Sequence, residues 1–285
     1  MTFKEKYVNP FTDFGFKKLF GTELNKDLLI DFLNQVVLPE RQKIADLTYS
    51  RHEQLGVSEA DRKAVFDLYC VGTNGERFIV EMQKAKQNYF KDRSIYYSTF
   101  PIQEQAKRGE WDFKLTEIFT VGILDFVFAD DKDSNEVRHE VKLKDQNGEV
   151  FYDKLTFIYL EMPHFIKKES ELVTSYDKWL YVLQQLPNLE NRPKALQEKV
   201  FERVFEAAEI ARFTKEERAQ YEESLKYYRD IKNVVDTSFA EGKIEGKIEG
   251  KIEIALKALD ENIPLSIIVK LTGLTEEEII KLKRT

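Results

Sequence analysis

The alternation of apolar and polar residues predicts both strands and helices along the chain. Apolar residues at helical spacing over 24–38 predict an amphipathic helix that stops near Pro39. Two apolar runs, 63–71 and 76–83, flank Gly72-Thr73-Asn74-Gly75 and predict a β-hairpin. The other predicted elements are a helix over 87–108, kinked or split at Pro101, strands at 44–50, 115–128, 137–145 and 154–162, and helices almost throughout from about residue 169.

This order of elements predicts an α/β fold, with a mixed sheet flanked by helices and a helical region at the C-terminus. We divide the chain into a first domain at residues 1–165, a helical extension at 166–240 and a C-terminal part at 241–285.

The second strand of the hairpin, FIVEMQ, carries Glu81 and Gln83 on one face, where a buried strand calls for apolar residues. A two-residue type I′ turn at Asn74-Gly75 pairs residues whose numbers sum to 149, which turns Glu81 away from Asp67. A three-residue loop with Gly75 in the left-handed conformation gives a sum of 148, so that Asp67 faces Glu81 and Val65 faces Gln83. Both turns are compatible with the sequence.

In the second register, two carboxylates lie about 5 Å apart at Cβ. When both are partly buried they repel each other, and a divalent cation relieves that repulsion. Mg²⁺ suits such a site because it binds one or two carboxylates together with water and phosphate. The alternative is a pair of carboxylates on a solvated strand face.

The segment EGKIEGKIEGKI at 241–252 repeats a four-residue unit three times. A helix made of it places like charges four residues apart and contains three glycines, so it needs a partner such as a second subunit on its Ile stripe. The other interpretation is a flexible connector. The following segment, 254–283, predicts short helices with a capping box at Thr275 and Glu278, as a docking or oligomerisation module or as a DNA-reading helix-turn-helix.

Composition indicates a globular, soluble protein: hydrophobic residues make up 42% and charged residues 33% of 285. No apolar run reaches the ~20 residues of a membrane span, and the N-terminus shows no secretory pattern. The single cysteine, Cys70, fits a cytoplasmic protein. The net charge of −7 argues mildly against coating nucleic acid, but residues 84–108 carry six basic and two acidic side chains.

The stretch FDLYCVGTNGERFIVEMQ resembles the PD-(D/E)xK nuclease signature, in which an acid on one strand precedes an acid-x-Lys or acid-x-Gln on the next. The segments NPFTDFGFKKLFG, FLNQVV, YFKDRSIYYSTFPIQEQAKRGEWD and TVGILDF are similar to the recombination-promoting nuclease (Rpn) family of transposases within that superfamily. The resemblance covers about residues 9–128. It implies a restriction-endonuclease-like core and a metal-dependent DNA endonuclease.

The resemblance also implies roles for particular residues. Asp67 and Glu81 are metal ligands for Mg²⁺, with Mn²⁺ as a substitute, and Asp13 approaches the metal from the first helix. Gln83 holds the position usually occupied by a catalytic lysine, whose charge Gln cannot supply. Lys63, Lys84 and Lys86 are candidates to compensate, and Lys63 is preferred because it shares the strand parity of Asp67. The candidates for contact with DNA are Lys17, Gln87, Arg93 and Tyr97.

The leading hypothesis is therefore an endonuclease that acts on DNA in recombination, transposition-like processing or defence. One rival is a catalytically silent relative that binds nucleic acid or protein. The other is an assembly protein that works through its C-terminal repeat, and a homo-oligomer formed through the C-terminal helical region is compatible with all three.

Overall fold

The computed structural model describes residues 5–39, 43–50, 53–54, 64–106, 112–128 and 135–282. The chain divides into two compact units, Met1–Arg229 and Asp230–Thr285. In the described ranges, none of the helices combines the length and apolar character that a bilayer span needs.

The strands of the first unit are β1 Leu47–Tyr49, β2 Glu53–Gln54, β3 Ala64–Val65, β4 Leu68–Gly72, β5 Arg77–Gln83, β6 Ile118–Leu124, β7 Arg138–Lys144 and β8 Val150–Glu161. Six of them form a mixed sheet with the order β1-β4-β5-β6-β8-β7, and β2 and β3 form a separate pair. Strands β5, β6 and β8 run parallel, whereas β1, β4 and β7 pair antiparallel with their neighbours.

Helices cover both faces of the sheet, which confirms the predicted α/β fold with flanking helices. The helices are α1 Asp13–Phe20, α2 Lys26–Phe32, α3 Phe90–Glu104, α4 Ser175–Gln185, α5 Lys199–Ala208, α6 Lys215–Asp260, α7 Leu265–Thr272 and α8 Glu276–Leu282.

Successive strand residues point to opposite faces, so β5 contributes to two cores. Phe78, Val80 and Met82 join the large core, which also buries side chains of α1, α2, α4, α5 and the start of α6. Ile79 points to the other face, which α3 covers. Side chains of α4 and α5 lie in the same core as those of the sheet. The division at residues 165 and 240 stays a prediction.

The hairpin between β4 and β5 has the three-residue loop. Leu68 pairs with Val80 and Val71 with Arg77, so paired numbers sum to 148. Gly75 has φ +87°, the left-handed conformation that this loop requires. The type I′ alternative is thereby excluded.

The strand predicted at 63–71 is not continuous. Val65 pairs with Glu53 in the separate two-stranded sheet, so the prediction that it faces Gln83 is wrong. The sequence pattern could not reveal this break, because the residues on both sides of it favour strands. The preferred catalytic lysine, Lys63, lies outside the described residues.

The sequence predicts that Pro101 kinks or splits its helix; the split is wrong, and the kink stays a prediction. Helix α3 is continuous from Phe90 to Glu104 with Pro101 buried inside it. Ring burial against the protein offsets the backbone hydrogen bond that proline cannot donate.

In the second unit, the C-terminal part of α6 packs with two short helices. Ala255 and Ala258 of α6 are buried with Ile268 of α7 and Ile279 of α8. The predicted capping box is confirmed, since the N–H of Thr275 donates to Glu278 and the N–H of Glu278 donates to Thr275 Oγ1. The EGKI repeat is helical and belongs to α6.

We predict that Gly75→Ala lowers the free energy of unfolding of the first unit by about 1–2 kcal/mol, because an L-residue is strained at this φ. A Cβ here would also lie 3.3 Å from Thr116 Cγ2. Urea unfolding followed by tryptophan fluorescence measures the change, since Trp179 is buried in the first unit.

Gly148→Ala is the matched control. Gly148 has φ +83° in another turn, with nothing within 4 Å of an added Cβ, so it should show the backbone strain without the contact. Equal stability of Gly75→Ala and the wild type would contradict the loop geometry.

Candidate active site

Asp67 interrupts the strand just before β4 and replaces a backbone acceptor with its side chain. The Gly72 N–H donates to the Glu76 carbonyl, so even-numbered residues of β4 belong to hydrogen-bonded pairs. Continuing that register would give Met82 N–H the carbonyl of Phe66, but it donates instead to Asp67 Oδ2 at 2.8 Å. The carboxylate is thereby fixed at the edge of β5.

Glu81 and Gln83 project from β5 on the face that α3 covers. Glu81 is 5% exposed, and Gln83 Nε2 donates to Glu81 Oε2 at 3.4 Å. Burial and the negative charge of Asp67 raise the pKa of Glu81 to about 7, although Arg93 and the Gln83 hydrogen bond act to lower it. Two acids at this site therefore disfavour each other's ionisation.

Arg93 of α3 provides a positive charge next to Glu81. Its Nη2 lies 3.5 Å from Glu81 Oε2, and its Nη1 donates to Gln87 Oε1. The guanidinium also lies over the rings of Phe90 and Tyr97, with its Cζ at 5.2 and 5.7 Å from the ring centroids. The structure thus brings together three residues that the sequence singled out: Gln87, Arg93 and Tyr97.

A glycine in the adjacent strand gives this face its space. Gly122 of β6 pairs with Glu81 on one side and Tyr159 on the other. A Cβ on Gly122 would lie 3.1 Å from the Tyr159 ring and 3.4 Å from Phe90. A larger residue here would push α3 away from the sheet, and with it Arg93.

Asp13 and Lys17 lie on α1, where Thr12 caps the helix by accepting the N–H of Gly15 at 3.0 Å. The two side chains form an ion pair of 2.9 Å. Burial raises the pKa of Asp67, the Met82 N–H lowers it, and the charges of Asp13 and Lys17 act on it in opposite directions. The α1 pair therefore belongs to the electrostatic environment of Asp67.

The structure describes one of the candidate lysines, Lys84, and adds a contribution from helix α6 that sequence reasoning passed over. Lys84, which follows Gln83 directly, is half-buried, and burial lowers its pKa while the charges of Asp13 and Asp67 raise it. Helix α6 contributes Tyr227, whose ring lies 5.3 Å from Lys84 Nζ, and Tyr228, which donates to Asp125 Oδ2 at 3.0 Å. A tyrosine pair near residue 227 carries no spacing signal that links it to a hairpin so far away in sequence.

The donor set at Asp67 and Glu81 fits a hard divalent cation. Glu81 is buried and Asp67 half-buried, and the pKa of each is raised, so a cation between them would offset both the cost of removing their charges from water and the repulsion on Glu81. Among the described residues no three His, Cys, Asp or Glu side chains form a group that could hold a metal. Asp13 forms an ion pair with Lys17, and its approach to a metal stays a prediction. Two carboxylates, with water and phosphate completing the shell, match the preference of Mg²⁺.

Comparison with known families matches residues 10–238 to the PD-(D/E)XK nuclease family transposases. The chain belongs to this family. The resemblance noted in the sequence is confirmed, and it supports a nuclease-like or transposase-like function. PD-(D/E)XK nucleases generally use divalent metal ions, and DNA is the substrate that such a family suggests. Searches of curated proteins and of solved structures found no match.

We predict that Glu81→Gln stabilises the metal-free protein increasingly as the pH rises. The folded state of this family member holds the Glu81 proton more tightly than the unfolded chain, since the pKa rises from 4.5 to about 7. The stability that this proton provides is complete at low pH and is lost as the pH rises through that window.

The difference in free energy of unfolding between the variant and the wild type should be up to about 3 kcal/mol larger at pH 8 than at pH 4. This follows from about 1.4 kcal/mol for each unit by which the pKa is raised. Urea unfolding in EDTA at both pH values measures the difference. The exposed Glu190→Gln is the control and should show no pH-dependent gain. A pH-independent effect of Glu81→Gln would show that the pKa of Glu81 is not raised in the folded protein.

Proposed function

We propose that this protein is a Mg²⁺-dependent endonuclease that hydrolyses phosphodiester bonds of DNA. The observation that supports it best is the proximity of two carboxylates with raised pKa, the half-buried Asp67 just before β4 and the buried Glu81 of β5. A solvated strand face, the alternative interpretation, does not fit a Glu81 that is 5% exposed. Membership of a nuclease family adds to this support.

In the proposed reaction, Asp67 and Glu81 hold the ion and Gln83 orients the water that attacks. A divalent ion at this position supplies Lewis acidity toward a phosphate oxygen and makes water more acidic. The Gln83 amide both donates and accepts hydrogen bonds, so it can hold a water next to Glu81 without competing for the cation. The hydrogen bond from Met82 N–H keeps Asp67 oriented toward the site.

The same proposal gives DNA contacts to the positive groups around the site. Arg93 is placed by Gln87 and by two aromatic rings, and its forked donors suit phosphate oxygens. Lys17 lies on the α1 side of Asp67, where it can contact the backbone of the same duplex. Such contacts provide affinity and carry no sequence information.

We predict that Asp67→Asn and Glu81→Gln each lower the rate of Mg²⁺-dependent plasmid nicking by on the order of 10³-fold or more, because each removes one carboxylate ligand. Asp92→Asn is the control, an exposed carboxylate next to Arg93 that should cut normally. EDTA should stop all cleavage.

Titration with Mn²⁺ by calorimetry separates this proposal from a catalytically silent relative. The wild type should bind the ion and both site variants should bind it at least tenfold more weakly. Cleavage at wild-type rate by both variants, or unchanged Mn²⁺ affinity in both, would contradict the site assignment.

We also propose that the C-terminal helical region mediates association with a second copy of the chain. Ile244 and Ile248 of the repeat are 60% and 48% exposed, on a stripe four residues apart. At 3.6 residues per turn, Lys side chains flank this stripe on one side and Glu side chains on the other. In a parallel helix pair, opposite flanks meet across the seam, so Lys faces Glu. An antiparallel pair would place like charges together.

The double variant Ile244→Lys, Ile248→Lys should convert an oligomer into a monomer, as measured by light scattering after size exclusion. Ile166→Lys is the control, because Ile166 is 85% exposed in the first unit. A wild type that is monomeric at high micromolar concentration would refute the association.

A further inference from the structure

The proposed reaction has an unfilled requirement for positive charge. Gln83 is neutral, so another group must offset the charge that develops on the phosphate. Three cations surround Asp67 and Glu81 in the described chain: Lys17, Lys84 and Arg93. Arg93 and Lys17 can contact phosphates of the duplex, but part of the charge of each is already offset by a carboxylate, Glu81 for Arg93 and Asp13 for Lys17.

Lys84 differs from the other two in having no carboxylate partner. In the part of the chain that the structure describes, its Nζ makes no ion pair or hydrogen bond and lies 5.3 Å from the ring centroid of Tyr227. It is nevertheless half-buried, and it feels the negative charge of both Asp13 and Asp67. A half-buried ammonium with no bonded acceptor is available to an anionic ligand.

The position of Lys84 follows from the strand that carries Glu81 and Gln83. It is the first residue after β5, so its backbone is fixed by the same ladder that places the two site residues. Strand alternation puts its side chain on the α1 side, opposite to that of Gln83. Asp67 lies between these two sides, because Glu81 interacts with it from one and Lys84 from the other.

Tyr227, whose ring lies next to Lys84, is positioned by hydrogen bonds of its neighbours before and after it along α6. Ser224 Oγ accepts the N–H of Phe14 at 3.1 Å, and Tyr228 donates to Asp125 at 3.0 Å. The Asp125 N–H donates in turn to the Gln83 carbonyl at 2.9 Å. Helix α6 is thus fastened both to α1 and to the end of β5, and this places Tyr227 next to Lys84.

We propose that Lys84 contacts the phosphate at the reaction centre and supplies the positive charge that Gln83 lacks, with Tyr227 as its positioning residue. This inference rests on the proposed nuclease function. It places the catalytic cation one residue later than the usual lysine and on the other side of Asp67.

The first experiment is a charge-relocation cycle on plasmid nicking in Mg²⁺. Lys84→Met should lower kcat by on the order of 10²-fold and change KM less than threefold. Adding Gln83→Lys to Lys84→Met should restore at least tenfold of that loss, because the charge returns to the site. Tyr227→Leu should lower kcat about tenfold, whereas Tyr227→Phe should keep the wild-type rate.

Lys6→Met is the matched control, since Lys6 Nζ also lies 5.3 Å from an aromatic ring, that of Tyr7. It should leave kcat unchanged. A Lys84→Met enzyme with wild-type kcat, or one that Gln83→Lys fails to rescue, would overturn the proposal.

The second experiment does not depend on cleavage. Lysines are ¹³C-dimethylated, the Lys84 signal is assigned by its loss in Lys84→Arg, and a short DNA duplex is added with Ca²⁺. The Lys84 signal should shift on binding, and Tyr227→Leu should shift the same signal without DNA because the ring current is removed. A Lys84 signal unaffected by saturating duplex would overturn the inference, whereas an uncut plasmid with a shifted Lys84 signal would count only against the nuclease proposal.

Discussion

The hydrogen bond from Met82 N–H to Asp67 Oδ2 determines how the candidate site is assembled. The three-residue loop at Gly75 first sets the register of β4 and β5, and at the far end of that ladder a side chain takes the place of a backbone carbonyl. The consequence is that the Asp67 carboxylate is fixed relative to the β5 backbone. Glu81, the residue just before Met82, is then near Asp67 regardless of its own rotamer.

Electrostatics around this bond are asymmetric. On the α3 side, Glu81 is balanced by Arg93, and on the α1 side, Asp67 is near the Asp13–Lys17 pair and Lys84. Burial opposes ionisation of both acids, so the metal-free site carries unfavourable energy that any bound cation reduces. In the proposed function, metal binding would release this energy, which gives a physical reason for two acids so close to the core.

Much of this arrangement could be predicted from sequence. Apolar alternation in 76–83 located β5, and the glycine at 75 limited the hairpin to two registers. Periodicity could not choose between them, because the choice depends on the conformation of a single residue. It also missed the break at 66–67, since Phe66 and Val65 favour strands and the break results from a long-range hydrogen bond. The sequence pattern could not predict the contacts of α6 with the site either, because they join residues more than a hundred positions apart.

Those distant contacts extend the part of the chain that supports the candidate site. Residues 217, 221, 224 and 228 recur at spacings of four, three and four, so they lie on one face of α6. That face meets α1 through the Lys18–Glu217 ion pair and the Phe14–Ser224 hydrogen bond. It also contacts Asn9 before α1 through Tyr221, and Asp125 just after β6 through Tyr228. The family match, which continues to residue 238, includes the same turns. The first turns of α6 are therefore part of the site's support, and a chain that ended at the last strand would lack the helix that positions Lys84.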